Sequence, residues 1–566
     1  MLTKRFGKDE DELKGGRVPR RRQAEIEQEL IHETAAVPEA QANPSSAGDI
    51  IDAPKVVVDD VDGDIDDLKK RCLEAVPKDS TRIHRVEKGL QRLKRDAKLK
   101  DMTAILEEDV YFRRNRSRVY CYLVPLLSLF YFIPSIQFVF LVKESENMTG
   151  SQDLCFHNFE CSNHFFIFSD FNHVISNVSY IIFGIGFTLL VLLKSKRLPE
   201  DQHPKSDHLA GRGILQQLSI FYAMGFALAS QGLFSVCYHV CPTNHSLQFD
   251  TTMMYVMCML GIVKIYQFRH PDANANAYSF FYFLGGIVLL EALALYSYSW
   301  WVYGIFILMY VMMTIFIAID CYFMGVGRLD GEIAKVLAKE IVTGWKENPT
   351  NIKYKKRFLF TCIFCGINMS LALYFTIAKI RNPFKTVTHV VLVILAMNLF
   401  IYIAYYVFRK NKQRYDSFCK QRRMCRSTSN GTTGGNPTST PASPTGSEPQ
   451  DGAKSPTGSD ELDAKYYIPI RGQKIPVLIS AGSLFAIAAI FLGGFASYFY
   501  LNRSANRNLS PAASRNLNEP CGYMGFYDNH DMWHFFSSSA IFFAFLALLT
   551  VDDDFLTESR DSIEVF

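Results

Sequence analysis

Separate runs of about 20 apolar residues recur along this chain of 566 residues. Each is long enough to cross the hydrocarbon core of a bilayer as a helix. A backbone surrounded by lipid has few other ways to satisfy its own hydrogen bonds. Ten spans are expected, at about 118–142, 172–193, 214–240, 249–266, 278–297, 301–323, 358–380, 386–408, 477–501 and 531–551. The expected fold class is an all-α polytopic membrane protein.

The remaining residues divide around these spans. Residues 1–117 form a polar N-terminal region, acidic from Asp49 to Asp67 and basic from Arg82 to Arg118. A helix on the membrane surface is expected for the basic part. The first eight spans fill 118–409, a loop covers 410–476, and the last two spans with a short tail make up 477–566. The 427–460 stretch is rich in Ser, Thr, Pro and Gly, has no means of forming a core, and is expected to be disordered. No cleavable signal peptide is visible in the first 112 residues, so the first span is expected to act as its own insertion signal.

Loop charge sets the orientation. Lys194, Lys196, Arg197, Lys353, Lys355, Lys356, Arg357, Arg409, Lys410, Lys412 and Arg414 all fall on one side. The positive-inside rule makes that side cytosolic, with the N-terminus, the Ser-rich loop and the C-terminus. The exceptions Lys379, Arg381 and Lys385 are outnumbered. Asn147, Asn244, Asn502 and Asn508 head glycosylation sequons that all fall on the outer side. Sequons also occur by chance, as Asn115 and Asn430 on the cytosolic side show. Of 13 cysteines, Cys155, Cys161, Cys241 and Cys521 sit in or beside outer loops. An oxidising compartment favours two disulfides among them, with three connectivities open.

The last span opens with His530 and His534, four residues apart and so on one helix face. The third span ends at His239, with Ser235 one turn deeper, and the fourth opens at Asp250. The topology puts all five at one depth, at the outer face. Three neutral imidazoles with a nearby carboxylate are the donor set of a catalytic zinc site. For either helix end alone, unrelated interfacial histidines are the plainer account. Convergence of both ends at one depth favours a metal. Zinc lowers the pKa of its water to about 7. Asp250 is placed to orient or deprotonate that water, and Ser235 to bridge to it.

Several stretches carry a family resemblance: Asn147–Cys155, Phe171–Asn177, Cys237–Pro242, Phe249–Thr251, His530–Ser537 and Thr550–Asp554. Over about 118–566 the chain resembles the SID transmembrane family, named for systemic RNA interference defects. The family includes double-stranded RNA conduits and cholesterol-uptake proteins. Its wider group includes alkaline ceramidases, in which Ser, Asp and three His form a zinc site. The resemblance implies a ceramidase-like zinc core here, with catalytic roles on Ser235 and Asp250 and metal ligation by His239, His530 and His534. Members usually carry a large β-rich extracellular domain and one more helix ahead of the matched region. This chain is expected to begin with the cytosolic loop that follows them.

Tyr266 and Tyr374 sit in segments that match a proposed sterol-contact pattern, although aromatic and basic interfacial anchors give the same pattern. The expected partners are membrane lipids and cholesterol, double-stranded RNA and further copies of the chain. The expected location is the plasma membrane or the endosome–lysosome system, as a multi-pass glycoprotein. Sterol or lipid uptake is the leading reading. Double-stranded RNA transport and a zinc-dependent lipid amidase or esterase are the alternatives. The charge asymmetry is checked by epitope tags at the N-terminus, near Thr440 and at the C-terminus. All three should be silent in unpermeabilised cells, and a surface signal near Thr440 would overturn the orientation.

Overall fold

The computed structural model describes residues 61–77, parts of 83–99, and 118–150, 153–197, 213–270, 277–296, 300–347, 354–381, 388–431, 467–476 and 480–565, apart from a few isolated positions. The acidic stretch up to position 60 and 432–460 of the expected disordered stretch lie outside the described residues, whereas 427–431 are helical.

In chain order the elements begin with α1 (Val61–Ala75), α2 (Tyr120–Thr149), α3 (Phe171–Ser176), α4 (Val178–Arg197), α5 (Ser219–Val240) and α6 (Leu247–Arg269). They continue with α7 (Ala277–Tyr296), α8 (Trp300–Tyr322), α9 (Gly331–Glu347), α10 (Lys355–Arg381) and α11 (Thr388–Gly431). The last are β1 (Tyr467–Ile470), β2 (Gln473–Pro476), α12 (Ala481–Leu501), α13 (Pro511–Arg515) and α14 (Asn529–Thr550). The protein is an all-α polytopic membrane fold, with β1 and β2 forming one small antiparallel hairpin.

Among the described residues, nine helices are long and apolar enough to cross a membrane. The tenth expected span corresponds to α7, whose side chains are described over 277–289. Two helices outrun their expected ends. α2 continues to Thr149 and stops where Gly150 turns left-handed, at φ 63°, a conformation glycine adopts without strain. α11 continues past 408 to Gly431 because its Lys-, Arg- and Gln-rich extension has no helix breaker before that glycine. The border expected at 409/410 therefore falls inside one helix.

α5 and α6 are the central helices: 67% and 72% of their apolar windows are buried, against 11% for α8. α5 lies against α4 through small residues. A Cβ on Gly184 would stand 2.4 Å from the Ala229 backbone nitrogen, and one on Gly232 2.9 Å from the Asn177 carbonyl. Close backbone approach of this kind drives helix pairing where lipid removes the hydrophobic contrast. On the other side, α8, α10 and α11 are joined by polar side chains. Tyr310 donates to Asn368 Oδ1 at 2.6 Å, and Asn368 and Asn398 exchange bonds at 2.9 and 2.8 Å.

A second, smaller core lies outside the spans. Leu68 and Cys72 of α1 pack with Val86, Leu90 and Leu93 against Val326, Ile333, Leu337 and Tyr354. Arg71 pairs with Glu340 of α9 at 2.8 Å. The apolar positions of the basic stretch thus face a protein core, which the charge pattern alone did not reveal.

The charged end of the bundle is tied by buried ions. Arg269 of α6, 1% exposed, bonds Asp552 at 3.2 Å and Tyr406 of α11 at 2.9 Å. Tyr406 also donates to Asp552. Lys410 and Arg414 reach Asp554 at 2.5 and 3.2 Å, and Lys194 of α4 reaches Asp553. Removing one partner strands the other charge in a site that water does not enter. Asp552→Ala is therefore expected to cost about 3–5 kcal/mol, read as a lower Tm of the purified protein in detergent. An unchanged Tm would show that Arg269 has another way to be neutralised.

Candidate metal centre

At the other end, two disulfides staple the connecting loops. Cys155 bonds Cys241, and Cys161 bonds Cys521. The α2–α3 loop is thereby tied both to the end of α5 and to the segment ahead of α14. This selects one of the three connectivities that the cysteine count leaves open.

The start of α14 is set by a capping box. Asp528 Oδ1 accepts from His530 N at 2.8 Å and Asp531 N at 3.0 Å, and Asp531 Oδ2 accepts from Asp528 N at 3.1 Å. This holds the first turn of α14, and with it His530 and His534, against the end of α5. His239 Nε2 then lies 3.0 Å from His534 Nε2 and 3.4 Å from His530 Nε2. One ligand atom from each of the three residues falls within 4.8 Å of the others. His239 and His534 are buried and His530 half-buried. Tyr180 and Trp533 wall His534, with ring centroids 5.9 and 4.6 Å from its own.

Ring nitrogens turned on one another at these distances suit a shared proton or a cation between them. A neutral imidazole has one N–H and one lone pair, so a single donated hydrogen leaves the remaining lone pairs face to face. Three nitrogen donors with a fourth position left for a ligand is the catalytic zinc pattern. Ser235 lies one turn below His239, fully buried, and its Oγ has no hydrogen-bond partner. An orphaned hydroxyl beside the trio suits a site that takes a further polar ligand. Asp250 is buried and accepts from Gln231 Nε2 at 3.0 Å. Gln231 is one turn below Ser235 on the same face of α5 and links that helix to the first turn of α6.

A second set of polar groups adjoins the trio. The His173 ring lies nearly parallel to that of His239, 5.6 Å away. His173 Nδ1 bonds Asp170 Oδ1 at 2.7 Å, and His157 Nδ1 bonds Asp170 Oδ2 at 3.0 Å. His173 Nε2 faces Asp528 Oδ2 at 3.3 Å. Asn158 donates to Asp528 and Asn172 to Asp531, at 3.0 and 3.1 Å. Burial alone pushes the Asp170 carboxyl up, but His173 and His157 outweigh it and set Asp170 below the ordinary carboxylate range. Asp528 lies low for the same reason: burial opposes the charge, and His173 with the Asn158 hydrogen bond prevails.

Other expected site residues lie elsewhere. Tyr266 is half-buried at the charged end, stacked on His270 at 4.2 Å. Tyr374 is 60% exposed on α10. Asn147 and Asn502 are exposed and Asn244 half-buried, while Asn508 lies outside the described residues. Gln231, His157, Asn158 and Asp528 were not singled out from sequence. The Asp528–Asp531 spacing ahead of an apolar run is a capping-box signature that marks one of them.

The family described as dsRNA-gated channel SID-1 matches residues 36–429 and 464–566. The chain belongs to this family. It is 28% identical over 483 residues to SID1 transmembrane family member 1 of Homo sapiens, covering 85% of this chain and 50% of the relative. It is 29% identical over 458 residues to Cholesterol uptake protein 1 of Caenorhabditis elegans, covering 80% and 52%. The chain thus spans about half the length of the curated relatives it matches. In this family member, peptide mapping without reduction should recover Cys155 linked to Cys241 and Cys161 linked to Cys521. A Cys155–Cys161 peptide would contradict the loop arrangement that brings α5 to α14.

Proposed function

We propose that this SID-1 family member handles membrane lipid, binding and taking up sterol-class molecules, with one zinc ion held by His239, His530 and His534. The observation that carries the reading is the convergence of three imidazole nitrogens at one end of a membrane helix core. A site walled by Tyr180, Trp533 and spanning helices is reached most directly by a molecule already in the bilayer. The loop charges make that end the outer one, so the lipid would come from the outer leaflet. Similarity to a protein named for cholesterol uptake supports the sterol class. The disulfides agree with exposure of this end to an oxidising compartment, at the cell surface or in the endosome–lysosome system.

Bound at the trio, zinc supplies Lewis-acid chemistry. The protein's own groups would orient the lipid: Ser235 Oγ has a hydrogen bond to give, and Gln231 keeps Asp250 in place. A hydrolytic role, cleaving a lipid ester or amide, is favoured by that unpartnered hydroxyl beside the donor set. The family's description names double-stranded RNA. A polyanion is captured by an array of cations, and its affinity falls steeply with salt. At the disulfide-bearing end, Arg515 pairs with Asp153 at 2.9 Å, Lys143 pairs with Glu146 at 2.8 Å, and Arg503 stacks on Tyr500. These three cations are engaged within the fold, which favours lipid as the ligand of this part of the chain.

Cells expressing the chain should accumulate more labelled cholesterol than control cells, with little gain in labelled double-stranded RNA. The purified protein should hold about one zinc at the trio, lost in the His530→Ala, His534→Ala double variant. RNA uptake in physiological salt with no change in sterol uptake would reverse the functional reading. Zinc content unaffected by the double variant would remove the metal assignment.

A further inference from the structure

We propose that His173, Asp528 and Asp531 form a second divalent-cation site beside the three-histidine centre. One ligand atom from each of the three lies within 4.8 Å of the others, and all three residues are buried. They come from two places in the chain, α3 and the first turn of α14, and the disulfide between Cys161 and Cys521 ties the adjoining loops.

Two features of the cluster call for a cation. The first is His173. Its Nδ1 is engaged by Asp170 Oδ1, so in the neutral ring the hydrogen sits there and Nε2 carries only a lone pair. That lone pair faces a carboxylate oxygen of Asp528 at 3.3 Å. Two lone pairs at this separation repel unless a proton or a metal ion lies between them. The carboxylate–histidine arrangement of Asp170 and His173 is also the one that fixes a metal-binding imidazole and raises its basicity. His157, on the second oxygen of Asp170, holds that carboxylate in turn.

The second feature is Asp531. It is fully buried, and its Oδ1 has no hydrogen-bond partner. Its Oδ2 is occupied by Asn172 Nδ2 and the Asp528 backbone N–H. The nearby Ser176 hydroxyl is shared with the His173 carbonyl at 3.0 Å. An uncompensated carboxylate oxygen is costly in a site shut off from water. Asp170, Asp528 and Asp531 together place three carboxyl groups in this buried volume. A dication bound by His173 Nε2 and the two carboxylates offsets more of that charge than one proton on His173 does.

The donor set defines the class of ion. One imidazole nitrogen with two carboxylates suits a first-row transition dication such as manganese or zinc, and not calcium or magnesium, which prefer all-oxygen ligands. The competing state is His173 as an imidazolium among the carboxylates. This site shares no ligand with the trio, so either assignment can fail without the other.

The test uses the full chain purified in detergent, stripped with a chelator, reloaded with Zn2+ or with Mn2+, and desalted. Metal is counted by mass spectrometry, and folding is followed by helicity and elution profile. Wild type should reload to about two ions per chain. His173→Gln and Asp531→Asn should each reload to about one, as should the His530→Ala, His534→Ala variant. A wild-type count near zero overturns the second site, and so does a count of one that is lost in the His530→Ala, His534→Ala variant. So does a folded His173→Gln protein that keeps the wild-type count. Failure of the trio assignment looks different: the His530→Ala, His534→Ala variant would then keep the wild-type count.

Discussion

A charge buried among membrane helices has no water to turn to, so it must find its counter-charge inside the fold. This requirement organises both ends of the bundle. At the charged end, Arg269 lies under the segment that follows α14 and is matched by Asp552 and Tyr406. At the disulfide-bearing end, His173 bonds Asp170 and faces Asp528 across the start of α14. α14 is thus anchored through polar groups at each terminus. The histidines on its first two turns are held in place from both directions.

Between these ends the packing is apolar and close. Gly184 and Gly232 let α4 and α5 approach to backbone contact, which leaves room for α14 to lie beside both. A larger residue at either glycine would push α5 outward and carry His239 away from His534. The geometry of the trio is therefore a consequence of side chains that are absent along the helices as much as of those present at their ends. The outlying helices α8, α10 and α11 are joined differently, by the Tyr310, Asn368 and Asn398 bonds, and they stand apart from the histidines.

The polar groups at the disulfide-bearing end are concentrated where three loops are covalently stapled. A reactive or ligand-binding centre needs side chains held in fixed relation, and loops alone seldom provide that. Here the two disulfides and the capping box of Asp528 and Asp531 give loop-borne groups the rigidity of the helices. The chain is thus a membrane protein of this family with a nitrogen-rich cluster at the disulfide-bearing end of its helices.

Much of this was legible from sequence because it is local. Apolar runs long enough to span a bilayer fold as helices whatever their neighbours, and His530 and His534 share a face because a helix repeats every 3.6 residues. The positions of Cys155, Cys161, Cys241 and Cys521 grouped their loops at one end by the same local logic. The sequence did not determine which cysteines pair, that Gln231 holds Asp250, that Asp528 faces His173, or that the Asp552–Asp554 run neutralises Arg269, Lys410 and Lys194. Those pairings join residues up to hundreds of positions apart, and nothing in the local pattern names the partner. Only the tertiary structure decides them, because a buried charge accepts whichever counter-charge the neighbouring helix happens to present.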